Sequence, residues 1–177
     1  MPRHREDGGV TYQILEVPVD DPRAAALRAA LDEDLERRYG PLNRDEPAHI
    51  KAARIEALRV APEEVVSTWI AVTDDAPVGH VMLRRLGSEW ELKRLVVTAA
   101  ARGRGIGRAL TERVIDRARA GDARRVILQT GAPQPESIAL YTSLGFTPMP
   151  VYEPYRATMP NSLCFELRLA PSPLTVS

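Results

Sequence analysis

The chain has 177 residues, 44% of them hydrophobic and 27% charged, which is the make-up of a single globular domain. A domain of that length buries roughly 70% of its unfolded surface. The 24 Lys+Arg balance the 24 Asp+Glu, which argues against a broad nucleic-acid surface. A single cysteine, Cys164, excludes an internal disulfide, and no run has the length of a membrane span. The polar N-terminus has no signal-like apolar core, so the expectation is one soluble, cytoplasmic domain over 1–177. The basic residues are almost all arginine; the lysines are Lys51 and Lys93. His4, His49 and His80 are dispersed without metal-ligand spacing.

Residues 1–9 are polar and read as a flexible tail. Val10 to Val17 alternates in part and reads as a strand. Asp20-Asp21-Pro22 offers a helix cap with proline in the first turn. Leu27, Leu31 and Leu35 then mark one apolar face through Tyr39, and Gly40-Pro41 stops the helix. Pro47 to Leu58 reads as a second helix. Val65–Thr73 and Val78–Leu86, joined at Asp74-Asp75-Ala76-Pro77, read as a hairpin. Glu91–Val97 is the next strand.

Arg102-Gly103-Arg104-Gly105-Ile106-Gly107 is a turn, and Ile106, Leu110, Val114 and Ala118 form a helical stripe behind it. Arg125–Thr130 is a buried-looking strand, and Pro135–Leu144 a short helix closed by Gly145. An extended, proline-rich segment follows from Phe146. Ser162–Leu169 is a last strand, and 170–177 reads as a second flexible tail. The order β-α-α-β-β-β-α-β-α-β-β implies a mixed α/β sheet in which only the crossover over about 91–130 demands a parallel pair. The last strand is apolar and followed only by a short tail, so its edge is expected to pair with a second subunit as a homodimer.

The strand–glycine turn–helix order at 95–118 marks an anion site. Glycine permits close backbone approach and unusual dihedrals. The first N–H groups of a helix lack internal partners and sit at the positive end of its dipole. Arg102, Arg104 and Arg108 add charge for phosphate oxygens. The glycines fit neither G-x-G-x-x-G nor the P-loop pattern, since Leu110 stands where a third dinucleotide glycine would fall. A plain tight turn with solvated arginines is the alternative reading.

Arg102, Gly105 and Gly107 match [RQ]-x-x-G-x-[GA], Glu91–Val97 precedes it as a strand, and Leu140-Tyr141-Thr142-Ser143-Leu144-Gly145-Phe146 follows as L-Y-x-x-x-G-F. Together these resemble the GNAT superfamily of acyl-CoA-dependent N-acyltransferases. The resemblance implies an α/β GNAT fold, a central, mostly antiparallel mixed sheet flanked by helices. It implies acetyl-CoA as co-substrate and a primary amine as acceptor; the dispersed histidines, the balanced charge and the lack of a span-length apolar run add the expectation of no metal and of neither nucleic acid nor membrane as partner.

In such an enzyme the pyrophosphate would lie on the N–H groups of Gly103, Arg104, Gly105, Ile106, Gly107 and Arg108, beside Arg102. The pantetheine would run along Leu95, Val96 and Val97. Gln134 would stand in for an asparagine frequent in the family and bond the coenzyme; Ala99 replaces a frequent proline. Tyr141 matches the tyrosine that protonates the leaving thiolate. Glu91 is the candidate base, with an edge carboxylate paired to Lys93 or Arg124 as the other reading. Tyr152 and Tyr155, with Glu153, are expected to line the acceptor pocket. Cys164 is expected to be a buried hydrophobe. A silent acyl-CoA sensor and a transferase of longer acyl chains are the rival functions.

Overall fold

The computed structural model describes residues 5–7 and 10–170. The chain runs β1 (Arg5–Asp7), β2 (Val10–Val17), α1 (Pro22–Tyr39), α2 (Ala48–Leu58), β3 (Val65–Thr73), β4 (Ala76–Leu86) and β5 (Glu89–Val97). It continues through α3 (Ile106–Ala120), β6 (Arg125–Thr130), α4 (Pro135–Ser143), β7 (Thr147–Met149) and β8 (Leu163–Arg168). The eight strands form one sheet in the order β1-β2-β3-β4-β5-β6-β8-β7. Among the described residues only β5 and β6 are parallel, so the crossover through α3 is where the sequence requires it.

Local chemistry sets the element ends. Asp21 accepts the Arg23 N–H at 2.9 Å and Pro22 opens α1. Asp74 and Asp75 take φ of 46° and 64°, the left-handed pair of a two-residue hairpin whose twist matches its strands. Gly105 takes φ of 72° immediately before α3, a conformation that costs most side chains about 1 kcal/mol or more.

The two faces of the sheet bury different partners. Trp69, Ala71, Val81, Leu83, Trp90 and Leu92 face α3, whose Ile106, Leu110, Val114 and Ala118 are all buried. Each such aliphatic side chain contributes about 1.5–3 kcal/mol on burial. On the opposite face Ile70 packs on Ala24 and Leu27 of α1, with Val96 beside them.

Two expectations are corrected. Arg5–Asp7 is not free tail but pairs antiparallel with β2, because the exposed edge of β2 offers unpaired backbone groups. The last strand, β8, is not an edge: β6 holds one side and β7 the other, at Thr147↔Glu166, Pro148↔Phe165 and Met149↔Cys164. The edge strand at this end of the sheet is β7, three residues long and carrying Pro148, a combination that blunts an edge rather than extends it. The argument for a dimer through β8 therefore falls. Of the expected C-terminal tail, 171–177 lie outside the described residues, as do 1–4 and 8–9 at the other end.

Candidate active site

The site begins with an irregularity in β5. His80 pairs with Val96 and Met82 with Lys93, so Arg94 and Leu95 together stand opposite Val81. This is a β-bulge, and Arg94 takes φ of 62° to make it. His80, fully buried, pins it: the Arg94 carbonyl lies 2.7 Å from Nδ1 and can only accept, so Nδ1 carries the proton. Arg28 then faces the Nε2 lone pair at 3.3 Å. Burial pushes the His80 pKa down from 6.5 to about 4, against the pull of the Arg94 carbonyl, so the ring is neutral. The Arg94 side chain reaches α1 and pairs with Asp32 at 2.7 Å.

On its other edge β5 parts from β6. The parallel ladder holds only at Trp90↔Val126 and Glu91↔Ile127, and beyond it the two strands diverge. Into that gap opens a cleft of about 910 Å³. Leu92–Leu95 form one wall, Gln129–Gln134 with Ser137 and Tyr141 the other, and residues of α1, α2 and 158–162 the far end.

The glycine turn stands beyond the C-terminal end of β5. No backbone acceptor serves the N–H groups of residues 103–108 among the described residues. Gly103 and Gly105 have φ of 76° and 72°. Gly107 has a different reason to lack a side chain: a Cβ there would meet Leu140 of α4 at 3.3 Å. The arginines divide. Arg104 is exposed, Arg102 bonds the Val97 carbonyl at 3.2 Å, and Arg108 bonds Ser143 at 2.7 Å.

Tyr141 lies in the cleft wall with its ring 5% exposed and packed on Phe146 at 5.6 Å. Its hydroxyl has no partner among the described residues. Burial raises its pKa, so the phenol keeps its proton. Thr130, at the end of β6 in the same wall, is 4% exposed and its Oγ1 also lacks a partner. Gln134 is engaged, giving Nε2 to the Tyr39 hydroxyl at 3.0 Å. Arg38 bonds the Pro133 carbonyl at 2.9 Å and Glu136 at 2.6 Å. The last turn of α1 is thus fastened across the cleft to the start of α4.

Three expectations change here. Glu91 is 0% exposed and absent from the cleft wall. Its Oε2 takes Arg84 Nε at 2.6 Å, and its Oε1 takes the hydroxyls of Tyr155 at 2.7 Å and Tyr152 at 2.8 Å. A carboxylate so saturated, behind a salt bridge, is placed to hold the loop and not to meet an incoming amine. Tyr152 and Tyr155 likewise turn inward onto Glu91, because two phenols and a buried carboxylate satisfy one another better than solvent allows at that depth. The far wall comes instead from Thr158–Ser162 and from α1 and α2. Leu95, Val96 and Val97 were expected to offer backbone to the pantetheine, and their side chains do not bear on that: Leu95 lines the cleft, Val96 packs toward α1 and Val97 toward α3.

Against known proteins, the acetyltransferase (GNAT) family profile matches residues 24–146. The chain belongs to the GNAT acetyltransferase family.

Curated relatives include the IAA acetyltransferase of Azospirillum brasilense, 40% identical over 77 residues, which are 44% of this chain and 50% of that protein. The mycothiol acetyltransferase of Beutenbergia cavernae is 36% identical over 91 residues, 51% of this chain and 27% of the relative. The match thus spans half or less of each relative's length. A Klebsiella pneumoniae structure assigned to the acyl-CoA N-acyltransferases superposes with a TM-score of 0.70 at 25% identity, covering 90% of this chain and 98% of that one. The fold also matches a GNAT acetyltransferase of Elizabethkingia anophelis with acetyl-CoA bound, at TM-score 0.61 and 16% identity, over 89% and 98% of the chains.

Within this GNAT fold the site contains residues that sequence reasoning passed over. His80 was read only for metal spacing, yet it fixes the bulge. Thr130 and Tyr39 give no local signal, since each matters through a neighbour far along the chain. Lys93 lines the cleft. Its signal is compositional: a lysine in the middle of a strand, in a chain whose other basic residues, Lys51 apart, are arginines.

Proposed function

We propose that this GNAT protein transfers an acetyl group from acetyl-CoA to a primary amine by direct attack. The observation that carries this is the cleft between the splayed strands β5 and β6, with the unpartnered hydroxyl of Tyr141 in its wall. The donor assignment is supported by the acetyl transfer common to the relatives' names and by the family membership itself.

The pyrophosphate is taken by the free N–H groups of Gly103–Arg108, where the α3 dipole adds positive potential and Arg104 is free to pair. The pantetheine lies in the gap along Leu95–Val97, and its amides find backbone groups that β6 no longer satisfies. The Thr130 hydroxyl and the remaining Gln134 oxygen are further partners at that end. The thioester then reaches the bulge, where β5 backbone can donate to the developing oxyanion. The acceptor enters from the α1–α2 side.

The amine nitrogen attacks the thioester carbon, a C–N bond forms, and the C–S bond breaks. Tyr141 gives its proton to the departing sulfur, and the proton shed by the new amide nitrogen restores the phenol. No covalent enzyme intermediate is needed: Cys164 is buried on β8 and burial raises its thiol pKa.

A panel of primary amines with acetyl-CoA, read by free thiol and by product mass, tests the reading. Equal yields of thiol and acetylated amine are expected for at least one class. Coenzyme binding with no turnover on any amine would contradict it and favour a sensor.

A further inference from the structure

We propose that Lys93 is the group that takes the proton from the incoming amine. The inference rests on the acetyl-transfer reading above, and it assigns a base to a reaction for which Glu91 is placed out of reach.

The geometry of Lys93 is specific. It sits on β5 next to the bulge, 6% exposed, and lines the cleft. Its Nζ gives one hydrogen bond, to the Tyr155 oxygen at 2.8 Å, and lies 4.9 Å from that ring. Its other N–H groups have no acceptor among the described residues. Tyr155 cannot turn round and donate to it. That hydroxyl already donates to Glu91, and it accepts from Arg84 at 3.1 Å as well as from Lys93. When Lys93 is neutral, it can keep its bond to Tyr155 through an N–H, so its lone pair stays free for a proton arriving in the cleft. The network around Glu91 thereby orients the lysine without touching the substrate.

The charges facing Lys93 come from several elements. Glu91 and Arg94 share its strand, Arg84 projects from β4, Cys164 from β8, and Tyr155 and Tyr152 from the loop before β8. Arg84 is further paired with Glu64, and Arg94 with Asp32. Burial pushes Lys93 from 10.5 to about 8; Glu91 opposes this, and Arg84 and Arg94 reinforce it. At pH 7.5 roughly a quarter of such lysines are neutral, against about one in a thousand in water. Arginine could not serve, because a guanidinium keeps its proton.

The balance is simple. The acceptor enters as an ammonium, Lys93 takes one proton, and the free amine attacks. The amide's second proton goes through Tyr141 to the thiolate, and Lys93 returns its proton to solvent.

Lys93→Arg and Lys93→Met, compared with wild type and Glu91→Gln, test this through pH–rate profiles of kcat/KM for a confirmed amine. Acetyl-CoA affinity is measured alongside. Wild type should rise with pH and level near 8. Both Lys93 variants should fall by about 100- to 10,000-fold at pH 7.5, keep coenzyme affinity within about twofold, and show no plateau near 8. Glu91→Gln should stay active with its limb moved to lower pH, because the anion that raises Lys93 is gone. Wild-type rate and profile in folded Lys93→Met would overturn the proposal, as would loss of activity in Glu91→Gln with Lys93→Met still active. A wild-type chain that binds no acetyl-CoA would overturn both this and the acetyl-transfer reading, whereas full transfer with indifferent Lys93 variants would overturn this alone.

Discussion

Replacing Tyr141 by phenylalanine separates chemistry from packing. The tyrosine is 5% exposed, and its ring packs against Phe146 in a tilted contact at 57°. Phenylalanine keeps that ring and that contact. The hydroxyl has no partner among the described residues, so its removal breaks no internal hydrogen bond and leaves no buried group orphaned. Stability should therefore move by no more than about 1 kcal/mol. If the hydroxyl protonates the leaving sulfur, kcat should drop by about 100- to 10,000-fold, which is about 2.7–5.4 kcal/mol of barrier. KM for acetyl-CoA should stay nearly constant, because the interaction is made in the transition state. Thiol release under saturating amine gives kcat, and calorimetry gives coenzyme affinity. Full activity in Tyr141→Phe would refute the acid role. Loss of coenzyme binding with little change in kcat would make the hydroxyl a binding group.

Two further outcomes follow from buried groups. His80 has its native pKa depressed to about 4, so its contribution to stability is full above pH 6.5 and is lost as pH falls toward 4. Between pH 7.5 and 5 that loss is about 2 kcal/mol, and urea unfolding should show a correspondingly shallower fall in His80→Gln; an identical fall in both proteins would remove His80 from the account. Cys164→Ala should keep kcat within about twofold, and intact mass after acetyl-CoA alone should show no acylated protein; an acetylated Cys164 would contradict direct attack.

Sequence reading reached the elements with strong local punctuation. Asp21-Pro22, Asp74-Asp75, the glycines at 103 and 105 and the i, i+4 stripe of α3 each encode their structure within a few residues. The parallel pair was forced by chain connectivity. What sequence did not reveal was long-range. The insertion of β8 between β6 and β7 depends on how an irregular 150–162 segment returns to the sheet. The inward turn of Tyr152 and Tyr155 depends on Glu91 and Arg84, roughly sixty residues away along the chain. The bulge depends on His80 meeting a carbonyl on the next strand. Tyr141 and the glycine turn were legible because family motifs mark them; Lys93 was visible only as an odd choice of cation.

The central claim is that the 103–108 turn and the β5/β6 gap hold acetyl-CoA. Calorimetric titration of acetyl-CoA into wild type and Gly105→Glu tests it most directly. The substitution puts a side chain at φ of 72° and a carboxylate against the pyrophosphate position. One coenzyme per wild-type chain is predicted, with affinity at least about tenfold lower in the folded variant, or about 1.4 kcal/mol. Unchanged affinity in folded Gly105→Glu would contradict the account.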